Sequence, residues 1–437
     1  MAPLTTSSDE DVALSASSSS QLSESGIIRL FNRPNSMGLE RQIIERLLGT
    51  FSGTNVDIVL WDGKRLGNCA HPDVVMTVHS RQALWKLTLD PVDQLPELYA
   101  GGQVDLEGDL LQFLRSINQR VASDGARLHG RSTSGGGQMH LHYRPVLKSV
   151  SRGRLPVCDA VMTEFFKPWL DDEMHFSAGE FDSPSSTLEE AQELKCERIC
   201  AQLQLKPGDV VFDIGCGWGG FGRYAARVHG ARVKGWTPQP YQLEYCRERA
   251  RADGLEDLIE THEGDWDAIR GNADAIVLIE SIECTPMEKY GDFGVLVRDC
   301  LSDNGRGVLQ LVGRNSPQPP ETVWIEEHFL PFLQPPALSQ LMEFFEFPGL
   351  TVRSLNNLNS QYQRTIESWR TRFDDCLDQL EEEIPESLLR AWKLYLASMQ
   401  AAFETSTMQL YRIGFSKGDW RTSESVSQSA ARNAERA

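Results

Sequence analysis

Phe212-Asp213-Ile214-Gly215-Cys216-Gly217-Trp218-Gly219-Gly220, entered from Val210-Val211 and followed by a helix-compatible stretch, decides the fold of this chain. A buried strand that feeds a glycine turn and then a helix presents bare backbone N–H groups and a helix N-terminus to a polar ligand. Gly215, Gly217 and Gly220 also satisfy the dinucleotide spacing, which is a weak signal when it stands alone. A dinucleotide site expects an acid roughly 20 residues further on, at the end of the second strand, to hold ribose hydroxyls. Here the second strand, residues 231–236, runs into Thr237 without a carboxylate. Asp213, placed before the first glycine, instead suits S-adenosylmethionine, which carries a cationic sulfonium and amino group and no pyrophosphate. A purely structural glycine turn in an unrelated α/β protein is the competing reading.

Outward from the turn, strand and helix patterns alternate. Thr187 with Glu190 forms a capping-box signature, and Leu188, Ala191, Leu194, Ile199 and Leu203 follow at near-helical spacing. Beyond the turn the expected elements are helix 219–229, strand 231–236, helix 239–253, strands 258–262 and 274–279, helix 287–301 and strand 306–312. Strands separated by helices imply right-handed crossovers and a doubly wound, mainly parallel α/β sheet, with ligands at the carboxyl ends of its strands. The glycine turn, Thr237, Asp265 and Glu283 all fall at such ends. Residues 366–405 read as helix-rich, with Leu388, Leu389, Trp392, Leu394, Tyr395 and Met399 as an apolar face that belongs to the core.

The 437 residues suffice for two domains, and a hydrophobic content of 40% supplies both cores. No stretch reaches the roughly 18 apolar residues of a membrane span. A net charge of −19 opposes general attraction to nucleic acid or anionic lipid, so any membrane contact is local and peripheral. The nine cysteines are scattered without CxxC spacing, which fits a reducing compartment, and no metal site is expected. His140 and His142 lack further ligands nearby. Arg144, Lys148, Arg152 and Arg154 form a basic strip that reads as solvated linker, with a membrane patch as the alternative.

Five regions are expected: a disordered leader at 1–25, an α+β domain at 26–120, a flexible linker at 121–155, the main α/β domain at 156–420 and a disordered tail at 421–437. In the small domain, residues 56–61 read as a strand, and Asp62-Gly63 as a hairpin turn.

Residues 174–418 resemble the cyclopropane-fatty-acid synthase family of methyltransferases, which includes the mycolic-acid cyclopropane synthases. His175-Phe176-Ser177-Ala178-Gly179-Glu180-Phe181, the 187–192 and 205–208 segments, the glycine motif, Ile282-Glu283, the 361–369 segment and Tyr411-Arg412-Ile413-Gly414-Phe415 carry the resemblance. Residues 79–111 are similar to the amino-terminal region of longer members. The resemblance implies a class I S-adenosylmethionine-dependent methyltransferase. Ser177 and the turn, with Gly215, Gly217 and Gly219, would contact the cofactor, Thr237 and Gln242 its ribose or amino-acid portion, and Asp265 and Trp266 its adenine. Trp266 has a second reading as core packing.

It further implies methyl or methylene transfer to carbon of an unsaturated fatty-acyl chain, with Glu283 and Tyr362 as catalytic residues. In that family bicarbonate receives the proton lost from the methylated cation. This chain departs there: Ala178 replaces a cysteine, Cys284 and Gln310 replace histidines, and Thr407 replaces a late cysteine. Those changes argue against a bicarbonate site and leave Glu283 as the expected base, with a structural carboxylate as the alternative. The expected partner is an unsaturated fatty-acyl lipid or a small-molecule acceptor, the location cytoplasmic or peripheral to a membrane, and a homodimer is allowed. The rival functions are a small-molecule C- or N-methyltransferase and a catalytically inactive cofactor-binding protein.

Overall fold

The computed structural model describes residues 54–66, 71–89, 91–129, 159–315 and 335–418. The leader, the basic strip, His140, His142 and the tail beyond 418 lie outside these residues.

The main sheet has seven strands in the order β10-β11-β9-β8-β5-β6-β7. Its parallel part comprises β5 (Val210–Ile214), β6 (Arg232–Thr237), β7 (Ile259–Glu263), β8 (Ala273–Ile279) and β9 (Leu301–Gly313). From β5 the chain winds outward through β6 and β7, then crosses back to β8 on the other side. The switch point therefore lies between β5 and β8, where a doubly wound sheet opens a crevice at its carboxyl edge. Two antiparallel strands, β10 (Leu350–Asn357) and β11 (Gln409–Lys417), extend the sheet beyond β9. Periodicity alone does not announce this addition, because β11 is buried on both faces and shows no alternation.

Period-two geometry divides the core along the parallel strands. Phe212, Ile214, Ile276 and Leu278 pack with Phe293 and Val297 of the helix Tyr290–Cys300. Val211, Ala275 and Val277 face the opposite layer, made by the helices Leu188–Leu203 and Gly220–His229. The first of these helices starts at the expected capping box: Thr187 Oγ1 accepts from Glu190 N at 3.2 Å, and Glu190 Oε2 accepts from Thr187 N at 2.9 Å. Element ends shift modestly from expectation. Residues 287–289 form a 3-10 turn ahead of the helix at Tyr290, and β9 begins at Leu301.

A third core is aromatic. Phe165, Phe166, Trp169, Trp369, Phe373 and Trp392 pack edge-on or tilted against one another, and Phe166 reaches Trp218 of the glycine turn at a centroid distance of 5.0 Å. All six apolar residues expected on the late helix Glu386–Glu404 are buried here or beside it.

A small sheet of order β2-β1-β3-β4, in which β3 spans Val74–Val78, belongs to the same compact unit. Its strands β1 (Val56–Leu60) and β2 (Arg65–Leu66) pair antiparallel across Asp62-Gly63, where Gly63 adopts φ +80. The helix that follows β4 (Val104–Gly108) spans Leu110–His129, so it runs into the stretch expected as linker from residue 121. Among the described residues no helix is long and apolar enough to cross a membrane.

Arg390 clamps this sheet to the helix Glu386–Glu404. Its guanidinium donates to Tyr99 O at 2.7 Å, Val104 O at 2.9 Å and Asp105 Oδ1 at 2.7 Å, and lies over the Tyr99 ring at 4.4 Å. Arg390→Ala strands two carbonyls, so it should cost about 2–3 kcal/mol. The expected outcome is a lower urea midpoint together with faster proteolysis within residues 54–129, read by mass spectrometry of the fragments.

Candidate active site

The glycine turn is shaped by its own backbone. Gly215 N and Cys216 N both donate to Trp236 O, at 3.0 and 2.9 Å, and Gly219 N donates to Cys216 O at 2.9 Å. Buried Arg223 donates to Trp218 O at 2.6 Å and is itself held by Glu173. Gly215, Gly217 and Gly219 have φ of +76, +56 and +77, the left-handed region that side chains disfavour. The reasons for two of the glycines differ. A Cβ on Gly215 would stand 2.3 Å from Ser281 Cβ, whereas a Cβ on Gly217 would meet nothing within 4 Å. Gly215 is therefore required by packing. Gly217 faces open space of the kind a ligand occupies, and the N-terminus of the helix Gly220–His229 opens beside it.

Asp213 shares the face of Val211, so the strand turns its carboxyl toward the helical layer behind the turn. Burial pushes that carboxyl up to about 7, against the lowering influence of His175 and Lys195. These belong to a buried polar cluster. His175 Nδ1 pairs with Asp171 Oδ2 at 2.8 Å, and Lys195 Nζ donates to Ser177 Oγ at 2.9 Å. Burial lowers the Lys195 ammonium from its ordinary value. His175 also sets the fit under the next helix, since a Cβ on Gly220 would lie 2.5 Å from its Nε2.

At the end of β6, Thr237 is buried and its hydroxyl donates to Gln242 Oε1 at 2.6 Å. Asp265 is exposed and caps the turn that starts at Trp266, accepting from Trp266 N at 2.7 Å. Trp266 stacks on Phe293 with centroids 5.0 Å apart, so one ring face is committed to the core.

Beyond β8 two carboxylates meet. Glu283 is buried; its Oε1 accepts from Val312 N at 2.5 Å, while Oε2 has no partner. Burial, then repulsion from Glu280, pushes this carboxyl up to about 8. Glu280 accepts from Ala178 N at 2.8 Å and Gln310 Nε2 at 2.9 Å, and the Tyr362 hydroxyl is hydrogen-bonded to it. Burial raises Glu280 above its ordinary value, with the three donors opposing it. Gln310 is in turn oriented by Arg412, which donates to Gln310 Oε1 at 3.0 and 2.6 Å and pairs with Glu180. Tyr362 is thus the partner of Glu280 rather than of Glu283, and Cys284 is exposed.

The sequence reading missed Glu280, Lys195 and Arg412 as site residues. Glu280 left a legible signal: a second acid three positions before Glu283, at the carboxyl end of a parallel strand. Lys195 is hidden as one residue of an amphipathic helix.

The doubly wound sheet with its glycine turn defines the class, a class I S-adenosylmethionine-dependent methyltransferase. Residues 159–413 match the family model for mycolic acid cyclopropane synthetase, and the chain belongs to that family. It is 28% identical over 376 residues to a probable fatty acid methyltransferase of Pseudomonas putida, covering 81% of this chain and 90% of that protein. With the cyclopropane-fatty-acyl-phospholipid synthase of Escherichia coli K12 it shares 28% identity over 255 residues, 58% of this chain and 65% of the relative. The cyclopropane synthase MmaA2 of Mycobacterium tuberculosis superposes with a TM-score of 0.56 at 24% identity, over 58% of this chain and 94% of that one.

Two outcomes follow from the geometry. Gly215→Ala should cost about 2–3 kcal/mol, combining left-handed strain with the Ser281 clash, while Gly217→Ala should cost about 1 kcal/mol, both read from urea midpoints. For Glu283, the folded carboxyl keeps its proton up to about pH 8, whereas the unfolded one releases it near 4.5. The folded state therefore loses stability as pH rises through that window. Glu283→Gln should remove this loss, so its melting temperature should gain on the wild type from pH 5 to pH 8, measured by calorimetry across that range.

Proposed function

We propose that this protein binds S-adenosylmethionine at the glycine turn and transfers its methyl group to a carbon of an unsaturated fatty-acyl chain. The open space at Gly217, the three left-handed glycines and the adjoining helix N-terminus fit such a ligand, with Thr237 and Gln242 to hold its ribose or amino-acid portion and Asp265 and Trp266 its adenine. When bound, the cofactor supplies an electrophilic methyl group on sulfur. The chain's task is alignment of donor and acceptor, exclusion of water and acceptance of a proton.

The observation that carries the acyl-chain reading is the pairing of carboxylates with aromatic rings at one edge of the sheet. Methylation of an alkene leaves a carbocation, which needs apolar walls, electron-rich faces and a base. Tyr362 bonds to Glu280 and packs against Trp369 and Phe403, and Trp369 stacks on Phe176, one residue before Ser177. The relatives named above are described as acting on fatty-acyl substrates, and the Pseudomonas match extends beyond the methyltransferase domain. The descriptions of these two relatives support the lipid reading.

Titration calorimetry should show binding of S-adenosylhomocysteine and none of NADH, with Gly217→Val abolishing the heat while the protein stays folded. Incubation with cis-unsaturated phospholipid vesicles and S-adenosylmethionine should give acyl chains one methylene heavier by mass spectrometry. Turnover of amines with no change in any lipid would refute the acceptor assignment.

A further inference from the structure

Glu280 is the one acid among the described residues held in the left-handed backbone region, at φ +52. A non-glycine residue there costs about 1–2 kcal/mol, and such strain persists where the side chain is needed. Its neighbour Ser281 packs against Gly215 and donates to Ile214 O at 2.8 Å, which ties the backbone next to Glu280 to the glycine turn. Three donors converge on that carboxylate: Ala178 N, Gln310 Nε2 and the Tyr362 hydroxyl. Gln310 has no freedom to present its oxygen instead, because Arg412 occupies that oxygen with two hydrogen bonds. Ala178 and Gln310 stand at two of the four positions where this chain departs from the family it resembles. In this chain their donors are spent on a side chain of the protein itself.

We propose that Glu280 is the resident proton acceptor of the methyl-transfer reaction, a carboxylate built into the chain in place of an external anion. This rests on the function proposed above. Attack of the alkene π pair on the sulfonium methyl forms a C–C bond, breaks the C–S bond with its electron pair going to sulfur, and leaves a cation on the adjacent carbon. Glu280 then takes one proton. If the proton comes from the new methyl, its C–H pair closes a cyclopropane; if it comes from the carbon bearing the methyl, the pair re-forms a double bond. Charge and atoms balance with no further reagent. Glu283 is the less suitable base: it has one backbone donor and an orphan oxygen, whereas three donors surround the Glu280 carboxyl and oppose the upward pull of burial on it.

The test uses the full-length protein with Glu280→Gln, Glu280→Gly and Glu283→Gln. Infrared difference spectra at neutral pH, taken without substrate, should show loss of a protonated-carboxyl band for Glu283→Gln and loss of carboxylate bands for Glu280→Gln. With unsaturated phospholipid vesicles, wild-type turnover should be indifferent to added bicarbonate. Glu280→Gln should lose about 10²-fold or more in kcat with S-adenosylhomocysteine affinity retained, a larger loss than Glu283→Gln gives. Glu280→Gly should be equally inactive and recover turnover on addition of bicarbonate or formate. Wild-type turnover in Glu280→Gln, or a protonated carboxyl assigned to Glu280, would overturn the proposal. Absence of lipid turnover in the wild type would instead sink the acceptor assignment, and the infrared spectra would still decide which acid carries the charge.

Discussion

The close approach of Gly215 to the Ser281 side chain is the constraint from which the site follows. At the switch point of a doubly wound sheet, β5 and β8 are direct neighbours whose chains depart to opposite sides, so their carboxyl ends open a crevice between them. Only a residue without a Cβ lets the end of β5 turn within touching distance of Ser281. That approach brings Gly217 and the two acids at 280 and 283 to the same edge of the sheet. A larger side chain at 215 would part the strands and separate the glycine turn from Glu280 and Glu283.

Around this contact the protein buries an unusual amount of charge. Asp171, His175, Lys195, Asp213, Glu180, Arg412, Gln310 and Glu283 are all buried, on the two sides of Ala178. Removing such groups from water is costly unless each finds partners, and a buried pair is weak support for stability on its own. The arrangement is understandable as orientation. Glu180 receives Arg198 and Arg412, Arg412 fixes the amide of Gln310, and Gln310 points its nitrogen at Glu280. Behind the turn, Asp171 aligns His175 under Gly220, and Lys195 pins Ser177. The carboxyls that lack enough donors, Asp213 and Glu283, respond by holding protons near neutral pH.

The aromatic core completes the picture from the third side. It joins the helix Asp159–Phe166, the glycine turn through Trp218 and the late helices, so the wall of the crevice is the same packed layer that anchors the carboxyl-terminal half. Close packing of this kind transmits small shifts, and Arg390 ties the small sheet to the far side of that layer.

The sequence by itself determined the class of fold and the location of the turn, because both rest on local signals. A glycine triad after a buried strand, a capping box at Thr187 and alternating periodicity need no knowledge of distant residues. Glu283 and Tyr362 were legible as candidates through motif order alone. Which groups they address was decided only by the tertiary structure. Tyr362 bonds to Glu280 across a separation of 82 positions (362 − 280) in the chain, and Gln310 meets Arg412 102 positions apart. Asp213 reads in the sequence as a cofactor residue; in the fold the pleat turns it toward the layer that holds His175 and Lys195. Electrostatic roles depend on burial and on donors that arrive from other elements, and neither is a property of a short window. The strained backbone at Glu280 is of the same kind: a left-handed conformation is imposed by the surrounding packing, and a glutamate in the sequence gives no notice of it.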